Sequence, residues 1–75
     1  MIEKRIPFGR RIIVLRRRKG WTQRRLAQEM GMNDSHALSH WESGRNEPSL
    51  FNFFRLCKTL GVSPDEFMKG VDYDY

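Results

Sequence analysis

Apolar residues recur at spacings of three and four along nearly the whole chain, and no stretch alternates convincingly at a period of two. Glycine and proline punctuate the pattern at Pro7, Gly20, Gly31, Gly44, Pro48, Gly61, Pro64 and Gly70. These breaks divide the chain into five short helical pieces. The fold this predicts is all-α, a compact bundle of five short helices.

The first helix is predicted from about Phe8 to Lys19. Phe8, Ile12 and Leu15 fall on one face, and Arg16 to Lys19 sit in the last turn, where cations suit the helix dipole. Ile13 and Val14 lie off that stripe, facing either the bundle or a partner subunit. The second helix is predicted from about Gln23 to Met30, with Thr22 as N-cap and Trp21 stapling onto Leu26; Leu26, Ala27 and Met30 form its buried face. The third runs from about Ser35 to Ser43, with Asp34 as N-cap, Gly44 as stop, and Leu38 and Trp41 turned inward. The fourth follows Pro48 and runs to about Leu60, with Leu50, Phe53, Leu56, Cys57 and Leu60 as core and Phe51 and Phe54 on a flank. The fifth opens at Ser63-Pro64-Asp65-Glu66, a capping box with proline at the first helical position, and Val62 can staple to Phe67. Both tryptophans are expected in the core. The expected organisation is a single domain over 1–75, with a core of about 8–69 and a loosely ordered acidic tail over 70–75.

Charge changes this picture by its placement. The net charge is +5, but Met1 to Arg25 carries ten Lys/Arg against one acid, while the remainder carries four against eight. A basic half and an acidic half point to a polyanion on one face. The competing reading of Arg16 to Lys19 is a solvated helix end without a partner. At 75 residues there is room for one core and none for a second, ligand-sensing domain, so neither a small-molecule ligand nor a cofactor is expected. A lone cysteine, Cys57, excludes an internal disulfide framework and reads as a small core residue. With no apolar run near the ~20 residues needed to cross a bilayer and no signal-type N-terminus, the expected location is the bacterial cytoplasm or nucleoid, with no membrane partner.

The most informative stretch is helix, tight Gly turn, helix: TQRRLAQEMGMNDSHALSHWESG. Such a pair places its second helix in the major groove of DNA, which is about 12 Å wide. Ser35, His36, Ser39, His40 and Ser43 are left on the outer face of the third helix. A generic solvent-facing helix would carry Glu and Lys there, whereas short hydrogen-bonding groups suit base edges.

From about Phe8 to Met68 the chain resembles the λ-repressor/Cro-like (XRE-type) helix-turn-helix family, through LRRRKGWTQRRLAQEMG, LSHWESGRNEPSL and LCKTLGVSPDEF at the right separations. The resemblance implies a λ repressor-like bundle with a central helix-turn-helix. It implies base contacts from Ser35, His36, Ser39 and His40, and DNA backbone contacts from Thr22, Gln23, Arg24, Arg45 and Asn46. It also implies a structural ion pair between Arg16 and Glu42. Three departures stand out. There is one extra residue between Gly31 and Leu38. Ser35 stands where many members have Gln. Arg24 and Arg25 replace frequent acids, so that Thr22 loses its capping-box partner and the helix N-terminus carries an unfavourable charge that a nearby phosphate would offset.

The function this predicts is sequence-specific binding of double-stranded DNA by a transcriptional regulator, a repressor by default, acting as a homodimer on an inverted repeat. Phe51 and Phe54 are the candidate dimer surface, with core edge as the alternative. The rival readings are an antitoxin that masks a toxin and represses its own operon, a restriction-modification controller, and a purely structural helical domain; activation through RNA polymerase would use the acidic half. His36 and His40 have the i, i+4 spacing of a metal pair, but no third ligand lies near in sequence, so no metal is expected. No nucleophile triad, phosphate loop or paired carboxylates support an enzyme.

Overall fold

The computed structural model describes residues 5–72. Five helices follow in order: α1 (Phe8–Arg18), α2 (Gln23–Glu29), α3 (His36–Ser43), α4 (Leu50–Leu60) and α5 (Pro64–Lys69). The all-helical expectation holds among the described residues, apart from one isolated parallel bridge between Ile6 and Val71.

Side-chain oxygens set three of the helix starts. Thr22 Oγ1 accepts from the Arg25 amide at 3.0 Å, Ser49 Oγ from Asn52 at 3.2 Å, and Ser63 Oγ from Glu66 at 3.0 Å. Each cap satisfies an amide that the helix itself leaves unpaired, worth about 1 kcal/mol. At the α3 start the geometry differs from the expected Ser35 start with an Asp34 cap. Ser35 is itself the capping residue and makes no side-chain cap bond, while Asp34 Oδ1 accepts from the His36 amide at 3.0 Å.

The core gathers the apolar stripes of all five helices, with Ile12, Leu26, Leu38, Leu56 and Phe67 wholly buried. Gly9 brings α1 against the end of α3 so closely that a Cβ would collide with the carbonyl oxygens of Trp41 and Glu42. Phe8, Phe53 and Phe67 form an aromatic cluster, with Phe53 edge-on to Phe67 at 5.2 Å. Two arginines of the basic half lie inside this fold. Arg11 is buried and donates to the carbonyls of Phe67 (3.0 Å) and Glu66 (3.1 Å), fastening α1 to α5. Arg16 is buried against Glu42.

Three packing expectations need correction. Leu50, expected in the core, is 69% exposed: it lies on the stripe of Phe53 and Cys57, but as the first residue of α4 it stands at the end of that stripe, beyond the buried core. Trp21 is half-buried rather than core, its ring covered by Lys19 at 5.0 Å and Arg25 at 5.3 Å. The ordered fold also reaches past 8–69 at both ends. Gly70 and Val71 are buried, Ile6 N donates to Gly70 O at 3.0 Å, and Asp72 N donates to Ile6 O at 2.8 Å. Residues 73–75 of the expected tail lie outside the described residues.

Candidate nucleic-acid interface

Glu42 sets the geometry of the central helix pair. Its side chain is almost wholly buried and accepts from Arg16 Nε at 2.8 Å, Arg16 Nη2 at 3.1 Å and Gln23 Nε2 at 2.8 Å. Arg16 also donates through Nη1 to the Trp21 carbonyl at 2.8 Å. One carboxylate thus ties the end of α1, the start of α2 and the last turn of α3 together. The Arg16–Glu42 pair expected from the resemblance is present. Gln23, expected to touch DNA backbone, has its amide turned inward onto Glu42, and its side chain acts in the chain's own frame.

This frame leaves one face of α3 outward. His36 is exposed and His40 half-buried one turn later, with Ser43 exposed at the end of the same stripe. Ser35 and Ser39, both half-buried, form a second line beside it. Arg24 is exposed on α2 and shares a shallow groove with Gln28, Asn33, Asp34 and Ser35, so it lies on the same side as the start of α3. Thr22 is exposed, with its hydroxyl engaged as the α2 cap.

After α3, Gly44 takes the left-handed conformation (φ 81°) and the chain folds back. The amides of Arg45 and Asn46 then both donate to the His40 carbonyl, at 2.9 and 3.3 Å, and Ser43 Oγ donates to it at 3.1 Å. Arg45 and Asn46 are exposed, and Asn46 Nδ2 lies 3.4 Å from His40 Nδ1. The structure therefore brings His36, His40, Ser43, Arg45 and Asn46 onto one surface. The sequence reading missed the contact from Asn46 to the His40 ring. Glycine at 44 followed by two polar residues was its only trace.

The basic half divides in two. Arg11 and Arg16 are buried in structural bonds, Lys19 covers Trp21, and Arg25 covers Trp21 and pairs with Glu29 at 3.0 Å. Arg10, Arg17, Arg18 and Arg24 are exposed. The Arg25–Glu29 pair supplies, within α2, an offset for the charge that the sequence reading assigned to a phosphate. On α4, Leu50, Phe51 (72% exposed) and Phe54 (49%) form an apolar patch, with Phe54 backed by Phe53 at 6.0 Å. Cys57 is buried, and loss of solvation pushes its thiol up to about 11, which keeps it protonated at neutral pH. Among the described residues no group of three or more His, Cys, Asp or Glu is placed to hold a metal, and no helix is long and apolar enough to cross a membrane.

Five short helices around a carboxylate-braced pair, with a polar third-helix face and a folded-back loop, define a helix-turn-helix domain. The helix-turn-helix family model matches residues 12–67, and the chain belongs to the λ-repressor-like (XRE-type) branch of that family, whose members are DNA-binding transcription regulators. It is 36% identical over 64 residues to the SPbeta prophage-derived uncharacterized HTH-type transcriptional regulator YonR of Bacillus subtilis, a match covering 85% of this chain and 58% of that protein. The chain thus spans little more than half of that relative. Among solved structures it is similar to the P22 c2 repressor in complex with synthetic operator 9T (TM-score 0.76, 34% identity, 87% of this chain and 97% of that one). It is also similar to the restriction-modification controller protein C.AhdI from Aeromonas hydrophila (TM-score 0.74, 35% identity, 80% of this chain and 86% of that one).

Proposed function

We propose that this chain binds double-stranded DNA in a sequence-specific manner and regulates transcription, with α3 lying in the major groove. The observation that carries this is the outward stripe of His36, His40 and Ser43, held by the Glu42 brace and flanked by the Arg45–Asn46 loop. Ser35, His36, Ser39 and His40 are assigned to bases. Thr22, Arg24, Arg45 and Asn46 are assigned to the DNA backbone, and Gln23 contributes through its placement of α2. The likeness to an operator-bound repressor supports the reading. Catalysis has no part in it, and the assigned compartment is the cytoplasm, on the nucleoid.

One domain offers three or four base contacts, too few for an operator-grade affinity and specificity. A homodimer on an inverted repeat, with half-sites about 34 Å apart, supplies both. Leu50, Phe51 and Phe54 are the candidate dimer surface. Repression by covering a promoter is the first reading, supported by the likeness to an operator-bound repressor. Control of a restriction-modification operon is the second reading, favoured by the likeness to C.AhdI.

The test is selection of bound duplexes from a random pool at near-physiological salt. An enriched inverted repeat is expected, with His36→Ala lowering affinity for it by about tenfold, the scale of one good base contact. Binding without an enriched sequence, vanishing as salt rises, would leave only general polyanion attraction. One subunit per isolated half-site with no gain from the second half-site would sink the dimer.

A further inference from the structure

We propose that Asn46 is a specificity-determining residue: its side-chain amide fixes the ring proton of His40 on Nε2, so that α3 offers the bases a donor at that position. The inference rests on the DNA-binding reading above.

The placement of Asn46 comes from the backbone. Three donors, Ser43 Oγ and the amides of Arg45 and Asn46, converge on the His40 carbonyl and hold the loop across the end of α3. That frame sets Asn46 Nδ2 3.4 Å from His40 Nδ1. The separation is long for a hydrogen bond, and it is the frame that keeps the two groups facing. An amide nitrogen can only donate, so Nδ1 is the acceptor. In a neutral imidazole the hydrogen then sits on Nε2, at the far side of the ring.

An Nε2–H edge can donate to guanine O6 or N7, adenine N7 or thymine O4. It cannot accept from the amino groups of adenine or cytosine. The opposite tautomer would reverse that choice. A loop residue six positions beyond His40 thereby reinforces the tautomer that sets which base edge α3 can read. The amide keeps a second N–H, which remains suited to the phosphate contact assigned to Asn46 above.

Two measurements test this. The first needs no DNA: ¹⁵N ring shifts of His40 near pH 8 in wild type, Asn46→Ala and Asn46→Asp. The wild-type Nδ1 is expected at the shift of an unprotonated ring nitrogen. In Asn46→Asp, whose carboxylate can only accept, Nδ1 is expected to move to the protonated range. A wild-type Nδ1 shift no closer to the unprotonated value than that of Asn46→Ala overturns the proposal. The second is duplex selection with wild type, Asn46→Ala, His40→Ala and the double variant. One base pair per half-site is expected to lose about five- to tenfold of its preference in Asn46→Ala, with no further loss when His40 is already alanine. A uniform loss across all positions, repeated in the His40→Ala background, reduces Asn46 to a phosphate contact and overturns the proposal. If wild type enriches no sequence, the DNA-binding reading falls, and the base-reading role falls with it whatever the ring shifts show.

Discussion

Glu42 joins three helices through one buried carboxylate. Its carboxylate meets Arg16 and Gln23 out of water, so removing it strands a buried guanidinium whose remaining partner is the Trp21 carbonyl. Glu42→Ala is expected to cost about 3–5 kcal/mol, measured by urea denaturation, while the paired replacement Arg16→Met with Glu42→Leu should recover most of the loss. Cys57 gives a second test with a defined sign. Its thiol is pushed up to about 11 from an ordinary 9.0, so the unfolded chain ionises first. The stability this contributes is complete below about 9 and is lost as pH climbs through 11. The melting temperature should therefore fall more steeply across that window in wild type than in Cys57→Ala. Alkylation of the native thiol at pH 8 should be far slower than that of the unfolded chain.

Among the helices, the tightest constraint is the seat of α1 on α3. Gly9→Ala would drive a methyl into the carbonyls of Trp41 and Glu42, which are backbone and have no rotamer to escape through. A loss of about 1–3 kcal/mol or more, read as a lower melting temperature, is expected. The helices themselves were legible in the sequence. Phe8, Ile12 and Leu15 announced α1, Thr22 and Ser63 announced their caps, and Gly44 its stop, because these signals act over a few residues. What was illegible depends on partners far along the chain. Arg11 lies on the Phe8–Leu15 stripe, unlike the exposed Arg10 beside it, but the Phe67 carbonyl that accepts from it is 56 positions away. The bond from Gln23 to Glu42 was illegible because the two residues lie 19 positions apart. Leu50 looked like core because it shares a stripe with Phe53 and Cys57, but at the first turn of α4 it stands 69% exposed. The candidate site divided in the same way: the α3 face followed from spacing, and the Asn46–His40 contact required the fold.

At the scale of the whole molecule, the fold separates two surfaces that the proposed function needs at once. The polar face of α3 and its loop would meet DNA, while Leu50, Phe51 and Phe54 on α4 are left apolar and exposed. Changing Phe51 and Phe54 to Ser should lower the monomer's melting temperature only modestly, through Phe54, whose ring is half covered and packs on Phe53. In sedimentation it should shift the protein toward monomer and weaken binding to a two-half-site duplex far more than to a single half-site. Unchanged sedimentation would move the dimer surface elsewhere. Salt provides the matching check on the proposed DNA face: Arg24→Ala should lower the slope of log affinity against log salt by about 1 and spare base preference.

The bridge between Ile6 and Val71 has a mechanical meaning. Ile6 N to Gly70 O and Asp72 N to Ile6 O join two segments that run in the same direction, one entering the bundle and one leaving it. Tension applied through the two segments would pull them past each other and load both bonds together, in shear, before any helix is drawn off the core. The small domain is therefore clasped where a pull would begin. Its helices should resist a tug along the chain better than their lengths suggest.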